Sequence, residues 1–359
     1  MEFLKSDNIL KDQLLQIMVD NEGSDMYITV GTYPAIKIGG DIVRIDDGVE
    51  KFTSEDTKDF AFSIITQSQY DILIKEKNLD FSFTFLERRF RANISFQLGN
   101  YMIILRLLTL DIPNIDDLGL PSIYKDVTKK GQGLILVTGP TGSGKTTTLA
   151  AMIDYININY NKHIITIEDP IEYLHTHKKS IIEHKEIGKD IDDYETALIG
   201  SMRQDPDVIM FGEIRNRKDM EIALRLAETG HLVLSTLHTR SAYQTITRIL
   251  DSFSGEDKNQ IRMQLADSLL AIFSQRLLKK LDGTGLVLAK EILFKNTAVA
   301  NLIRENDIHQ IPSVLQMGGR EGMQLLETDI LAYISKNIIS EEEGLKYSNN
   351  PRMIKDSVV

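Results

Sequence analysis

Residues 139–147 read Gly-Pro-Thr-Gly-Ser-Gly-Lys-Thr-Thr and follow the apolar run Leu134-Ile135-Leu136-Val137 directly. This is the pattern G-x-x-x-x-G-K-[ST], from Gly139 through Gly144, Lys145 and Thr146, and its flanks are those the pattern requires. The run before it is short and apolar, as a buried parallel strand is. After it, Leu149, Met152, Ile153 and Ile156 recur at helical spacing, so a helix opens at the loop. Glycines let backbone N–H groups close around phosphate oxygens, and the helix N-terminus adds partial positive charge. The expected nucleotide-binding residues are therefore Gly139, Pro140, Thr141, Gly142, Ser143, Gly144, Lys145, Thr146 and Thr147. In this pattern Lys145 reaches the outer phosphates and the Thr146 hydroxyl holds Mg2+. A glycine-rich turn that merely carries a lysine gives no reason for the strand and the helix on either side.

The rest of the chain narrows the class. A length of 359 residues suggests two domains, and 42% apolar with 26% charged residues allows a sizeable core. No window of about 20 residues lacks a charge, so no membrane span is expected. Met1-Glu2-Phe3-Leu4-Lys5-Ser6-Asp7 has neither the basic start nor the apolar centre of a signal peptide. There is no cysteine, which removes disulfides and cysteine-ligated zinc. A cytoplasmic protein is expected. With 52 acidic and 41 basic side chains the net charge is −11, and that field opposes a polyanion. Nucleic acid is not an expected partner, which disfavours a helicase or recombinase.

Two grammars follow one another along the sequence. Leu10, Leu14, Ile17 and Met18 mark a short amphipathic helix; Ala35–Ile38 and Ile42–Ile45 flank a hairpin turn at Gly39-Gly40-Asp41. Ser54 is the expected N-cap of a helix bearing Phe60, Ile64 and Ile65. The stretches 81–85, 89–98 and 101–108 read as an antiparallel meander. Linker chemistry at Asp111–Asp117 sets the expected boundary, with an α+β domain over 1–112 and an α/β domain over 113–359. Beyond it, strands at 134–138, 164–167, 207–211 and 231–236 alternate with helices. That predicts a parallel sheet covered on both faces, with ligand at the carboxyl ends of its strands. Ser254-Gly255-Glu256-Asp257 reads as a capping box opening a long helix through Leu265, Leu269, Ile272, Phe273 and Leu277. The tail beyond Glu291 is read as helical.

Polar residues just after those strands are the candidate chemical groups. Glu213 follows Val208-Ile209-Met210-Phe211 after one glycine; a carboxylate there orients or deprotonates the attacking water, or binds Mg2+ through water. Glu168 follows Ile164-Ile165-Thr166-Ile167, and either Glu168 or Glu172 suits an outer shell of Mg2+. His238, at the carboxyl end of its strand, has a better claim as a γ-phosphate sensor than His231 at the opposite end. His175 and His177 have no third ligand nearby and are not expected to bind metal. Arg89, Arg91 and Arg106 lie in the meander, either as solvated edge arginines or as cations delivered to phosphate.

Taken in order, these motifs resemble the secretion-ATPase superfamily and, within it, the PilT-type retraction motors of type IV pili. The resemblance covers nearly the whole chain. It runs from Ile38-Gly39-Gly40-Asp41 and Arg89-Phe90-Arg91 through the phosphate loop to Thr166–Glu172, Gly212-Glu213, and Glu228–His231 with Leu237-His238-Thr239. It implies an N-terminal PAS-like domain, a C-terminal RecA-like P-loop ATPase domain and a homohexameric ring that hydrolyses ATP with Mg2+. It assigns the catalytic carboxylate to Glu213 and, by position, the two arginines that complete the site to Arg91 and Arg106. Implied partners are an inner-membrane pilus platform protein and a second retraction ATPase, with membrane association only through partners, at the cytoplasmic face of the inner membrane. An accessory pilus ATPase subunit and an assembly or secretion ATPase are the alternatives. Intact Lys145, Thr146 and Glu213 disfavour the first; the short chain without cysteines disfavours the second. The segment Asn301-Leu302-Ile303-Arg304-Glu305 matches the retraction motors, whereas Ala300 stands where they carry an arginine and Tyr27 where a histidine is usual.

Overall fold

The computed structural model describes residues 9–108 and 111–358. The segment read above for a signal sequence lies outside the described residues. The chain divides into two compact units, one reaching Asp111 and including Pro170–Leu174, the other formed by Ile112–Asp169 and the residues from His175 onward.

The first unit is α+β. Helix α1 (Ile9–Asp20) is followed by strands β1 (Asp25–Ile28), β2 (Ala35–Ile38) and β3 (Asp41–Arg44). Helices α2 (Ser54–Ile64) and α3 (Gln67–Glu76) then precede the meander β4 (Asn78–Phe85), β5 (Arg88–Gln97) and β6 (Asn100–Leu108). The sheet is antiparallel in the order β3-β2-β1-β6-β5-β4. Leu14 and Met18 of α1, Phe60 and Ile64 of α2 and Leu73 of α3 bury against Met26, Phe90, Ile94, Ile103 and Leu105 of the strands. The N-cap of α2 is Thr53 rather than Ser54. Thr53 Oγ1 accepts from the Asp56 N–H at 3.2 Å, and Asp56 Oδ2 accepts from the Thr53 N–H at 2.8 Å. The acid three residues on decides which hydroxyl caps, and Asp56 lies three after Thr53.

The second unit is a RecA-like α/β layer structure. In chain order it runs α4 (Ile123–Thr128), β7 (Gly133–Thr138), α5 (Lys145–Asn159), β8 (His163–Glu168), β9 (Ile181–Glu186), α6 (Tyr194–Ser201), β10 (Val208–Phe211), α7 (Arg217–Glu228) and β11 (Leu232–Leu237). It continues with α8 (Ala242–Asp251), α9 (Gly255–Ser268), β12 (Leu269–Lys279), β13 (Leu286–Phe294), α10 (Thr297–Glu305), α11 (Ile311–Met317), α12 (Leu326–Ser335), α13 (Glu341–Tyr347) and α14 (Pro351–Val358). The sheet order is β13-β12-β7-β11-β10-β8-β9, parallel throughout except for β13, which runs antiparallel to β12. Side chains alternate between its faces. Ile135 and Val137 of β7 join α4 and α5 in one core, while Leu134 and Leu136 join α6 to α10 in the other. Both faces are covered, so the strands read as continuous apolar runs.

Two expectations fail here. Leu269, Ile272, Phe273 and Leu277 do not continue a helix from Ser254. The helix ends at Ser268, Leu269 turns to extended geometry (φ −57°, ψ 128°), and β12 pairs with β7 in parallel register. Ser254 sits at the N-cap position with no side-chain cap bond. A strand buried on both faces loses its period-two signal, so helical spacing fitted the same residues. Strand β13 likewise carries the chain to Phe294 before the helices resume at Thr297. Strand β9 was not anticipated; it is an edge strand, Ile-Ile-Glu-His-Lys-Glu, with little apolar content to announce it.

Candidate nucleotide site

The loop after β7 is shaped by two glycines. Gly139 has φ +149°, and a Cβ there would stand 2.6 Å from the Gln275 carbonyl oxygen. Gly144 has φ +83° and is the N-cap of α5, so backbone rather than side chain faces the position a phosphate takes. Pro140, Thr141 and Gly142 are exposed, Ser143 and Lys145 are buried, and Thr146 and Thr147 are half-buried in the first turn of α5. Lys145 Nζ donates to the carbonyls of Gly139 and Pro140, both at 3.0 Å, which folds the lysine over the loop it serves. Gln275 Nε2 donates to Thr148 Oγ1 at 2.8 Å and ties β12 to the loop helix.

Sheet order then places the candidate acids. Strand β11 lies between β7 and β10, and β8 flanks β10, so the ends carrying the loop, His238, Glu213 and Glu168 follow one another along one edge. The turn after β10 is locked to β11. Thr236 Oγ1 donates to the Gly212 carbonyl at 2.7 Å, and the Ile214 N–H donates to the Thr236 carbonyl at 3.0 Å. Glu213 consequently meets His238: Nε2 of the histidine lies 2.9 Å from Oε2 of the acid. Because a carboxylate only accepts, this nitrogen carries the proton. Arg215 donates Nε to Glu213 Oε1 at 2.6 Å, forms an ion pair with Asp169 at 3.1 Å, and lies over the Tyr194 ring at 5.1 Å. Burial alone would raise the Glu213 carboxyl, but the bonds from Arg215 and His238 outweigh it and hold the group below the usual carboxylate range. Glu168 ends β8 and is buried.

The structure therefore gathers Lys145, Thr146, Glu168, Glu213 and His238 along one strand edge. Arg91 and Arg106 lie in the first unit, directly opposite each other on β5 and β6. Arg91 holds Asp80 in a fork (3.1 and 2.6 Å) and approaches Glu172 at 3.8 Å; Arg106 Nε bonds Asp25 at 2.8 Å. Arg89 is not a solvated edge arginine: β5 is not an edge strand, and Arg89 is buried and donates to the hydroxyls of Ser82 and Thr84. His231 bonds the Leu226 carbonyl at 3.0 Å, closing the end of α7. His175 stacks on His184 with centroids 5.7 Å apart. Arg215 was missed by sequence reasoning, although its place two residues after Glu213 on the same turn was the available signal.

A strand-loop-helix phosphate cradle at the centre of a parallel sheet, with a carboxylate–histidine pair on the next strands, defines a P-loop ATPase. A family model described as Type II/IV secretion system protein matches residues 69–351. The chain is 38% identical over 340 residues to the type IV pilus retractation ATPase PilT of Pseudomonas aeruginosa, covering 94% of this chain and 98% of that one. It is 41% identical over 319 residues to the twitching motility protein of Neisseria gonorrhoeae, covering 88% and 84%. A crystal structure of the pilus retraction motor PilT with bound ADP superposes with a TM-score of 0.91 at 41% identity, covering 96% of this chain and 98% of that one. The chain belongs to the Type II/IV secretion system family, in its PilT group of ATP-hydrolysing enzymes.

Proposed function

We propose that this chain is the ATPase motor that powers retraction of a type IV pilus. It works as a homohexamer at the cytoplasmic face of the inner membrane, against a pilus platform protein and alongside a second retraction ATPase. The observation that carries the chemistry is the Glu213–His238 bond on the strands next to the phosphate loop. Near-full-length likeness to proteins named for retraction and twitching supports the motor reading over assembly or secretion.

In this reading the loop N–H groups from Gly139 to Thr147 bind the phosphates and Lys145 swings from its two carbonyls to the outer ones. A Glu213 carboxyl held below the usual range stays charged, so it accepts a hydrogen bond from the attacking water and takes its proton as the bond to phosphorus forms. His238 reports the outer phosphate to Glu213 through their bond. Among the described residues no group of three or more His, Asp or Glu converges on one point. The donors fit Mg2+, which takes few protein ligands: the Thr146 hydroxyl would hold it, with Glu168 in its outer shell. The bound ion would neutralise phosphate charge. Arg91 and Arg106 are the arginines that turn to phosphate in the assembled ring, each leaving the carboxylate that holds it here. Arg304, paired with Asp267 at 2.5 Å, is the residue of α10 that couples the ATPase to retraction.

The test compares nucleotide affinity and phosphate release in the full chain. Lys145→Ala loses nucleotide binding. Glu213→Gln keeps ATP affinity and loses hydrolysis by about 10²-fold or more, the scale of a positioned acid–base group. Parent-like turnover in Glu213→Gln would move the assignment to another residue.

A further inference from the structure

The turn that follows His238 rests on a buried arginine and a buried carboxyl. Arg276 of β12 and Glu291 of β13 are each 4% exposed. Glu291 stands opposite Ser274, so the two side chains are diagonal neighbours on one face of the hairpin. Glu291 Oε1 accepts from the N–H of Ala242, the first residue of α8, at 2.6 Å. Arg276 donates Nη2 to the Arg240 carbonyl and Nη1 to the Gln275 carbonyl, both at 2.7 Å. The two ends of the Arg240–Ala242 turn are thus tied to one cation and one carboxyl. His238 lies two residues before Arg240 and bonds Glu213. Gln275, whose carbonyl Arg276 grips, also bonds Thr148 on the phosphate-loop helix.

Burying a guanidinium and a carboxyl in a sheet is costly, and an apolar pair would pack the hairpin at least as well. An apolar pair could not hold the turn, whereas the carboxyl accepts from an orphan N–H at a helix start and the guanidinium grips two backbone carbonyls. We propose that Glu291 and Arg276 are positioning residues for ATP hydrolysis: they fix the Arg240–Ala242 turn and thereby hold His238 against Glu213. This rests on the reading of Glu213 and His238 as the hydrolytic pair. The same turn is reached from the carboxyl-terminal helices. Asn349 Nδ2 donates to the Arg240 carbonyl at 3.3 Å, and the neighbouring Asn350 N–H and Ser348 hydroxyl both donate to buried Glu327 at 2.8 Å.

The experiment measures kcat and KM for ATP, ADP affinity and melting temperature on the full chain. Glu291→Ala lowers kcat by about tenfold or more, the scale of a displaced catalytic group, with KM and ADP affinity unchanged. Glu291→Gln keeps an acceptor for the Ala242 N–H and restores most of the parent kcat. Arg276→Lys keeps the charge but loses the two-armed grip, and lowers kcat in the same sense. A parent-like kcat in Glu291→Ala overturns the proposal, as does a loss of kcat matched by a proportional loss of ADP-binding protein. Where Glu291→Ala does not fold, Arg276→Lys decides alone, and its unchanged kcat is the contrary result. Glu213→Gln is assayed beside them: if it turns over normally, the hydrolytic pair itself is wrong and the proposal falls with it. A slow Glu213→Gln with a normal Glu291→Ala sinks the positioning role only.

Discussion

Two carboxyls in the second unit are pushed in opposite directions, and their surroundings explain both. Burial would raise Glu213, but Arg215 and His238 bond it directly and keep it charged. Glu291 is raised from 4.5 to about 7: burial dominates, Glu327 adds to it, and the Ala242 N–H and Arg276 offset only part. Arg240 is a further charged group acting on Arg276. Because the folded chain holds this proton more tightly than the unfolded chain, the associated stability is complete below about pH 4. It is lost as pH rises through about 7. Glu291→Gln has no such proton to lose. The melting temperature of Glu291→Gln relative to the parent should therefore climb between pH 5 and pH 8, by the equivalent of roughly 3 kcal/mol at most. A difference that stays flat over that range would show that the carboxyl is not held protonated. Glu213 and His238 were legible because sheet physics puts ligands at strand ends. Glu291 was not, since an acid inside an apolar run, Ala289-Lys290-Glu291-Ile292-Leu293, looks the same whether it is buried or solvated.

Among elements, β12 is where local pattern and tertiary structure part. Its run Leu269-Leu270-Ala271-Ile272-Phe273 fits a helical stripe and a buried strand equally, and β7 decides between them by offering a parallel partner. Phe273 is fully buried and stacks on Tyr124 of α4 with centroids 3.7 Å apart and rings 16° from parallel. Phe273→Ala removes that stack and leaves a cavity beneath the phosphate-loop strand. It should destabilise the chain by about 3–5 kcal/mol. Chemical denaturation reads this directly, and a loss under about 1 kcal/mol, the scale of a surface change, would mean that Phe273 is not in the core. Strands β7, β8, β10 and β11 were readable because each is an unbroken apolar run bounded by polar turns. Edge strand β9 and the hairpin partner β13 carry charges along their length, and their pairing is set by neighbours distant in sequence.

For the whole molecule, the change from an antiparallel α+β unit to a parallel α/β unit is written in the sequence as a change of grammar. The hairpin turn and meander come first, then strands alternating with helices. What no local pattern announces is that Pro170–Leu174, between β8 and β9, groups with the first unit. Glu172 there approaches Arg91 at 3.8 Å, so the acid read as a candidate for the metal's outer shell is also a neighbour of a candidate arginine. The net charge of −11 sets up a field that opposes a polyanion. The central claim is that ATP hydrolysed at Glu213 powers pilus retraction. Its most direct test is to follow labelled pili in the cells that make this protein, with Glu213→Gln as the sole copy of the chain and its folding and ATP binding verified. The account predicts pili that extend and then remain extended, with retraction events lost. Retraction at the parent frequency and speed would contradict it.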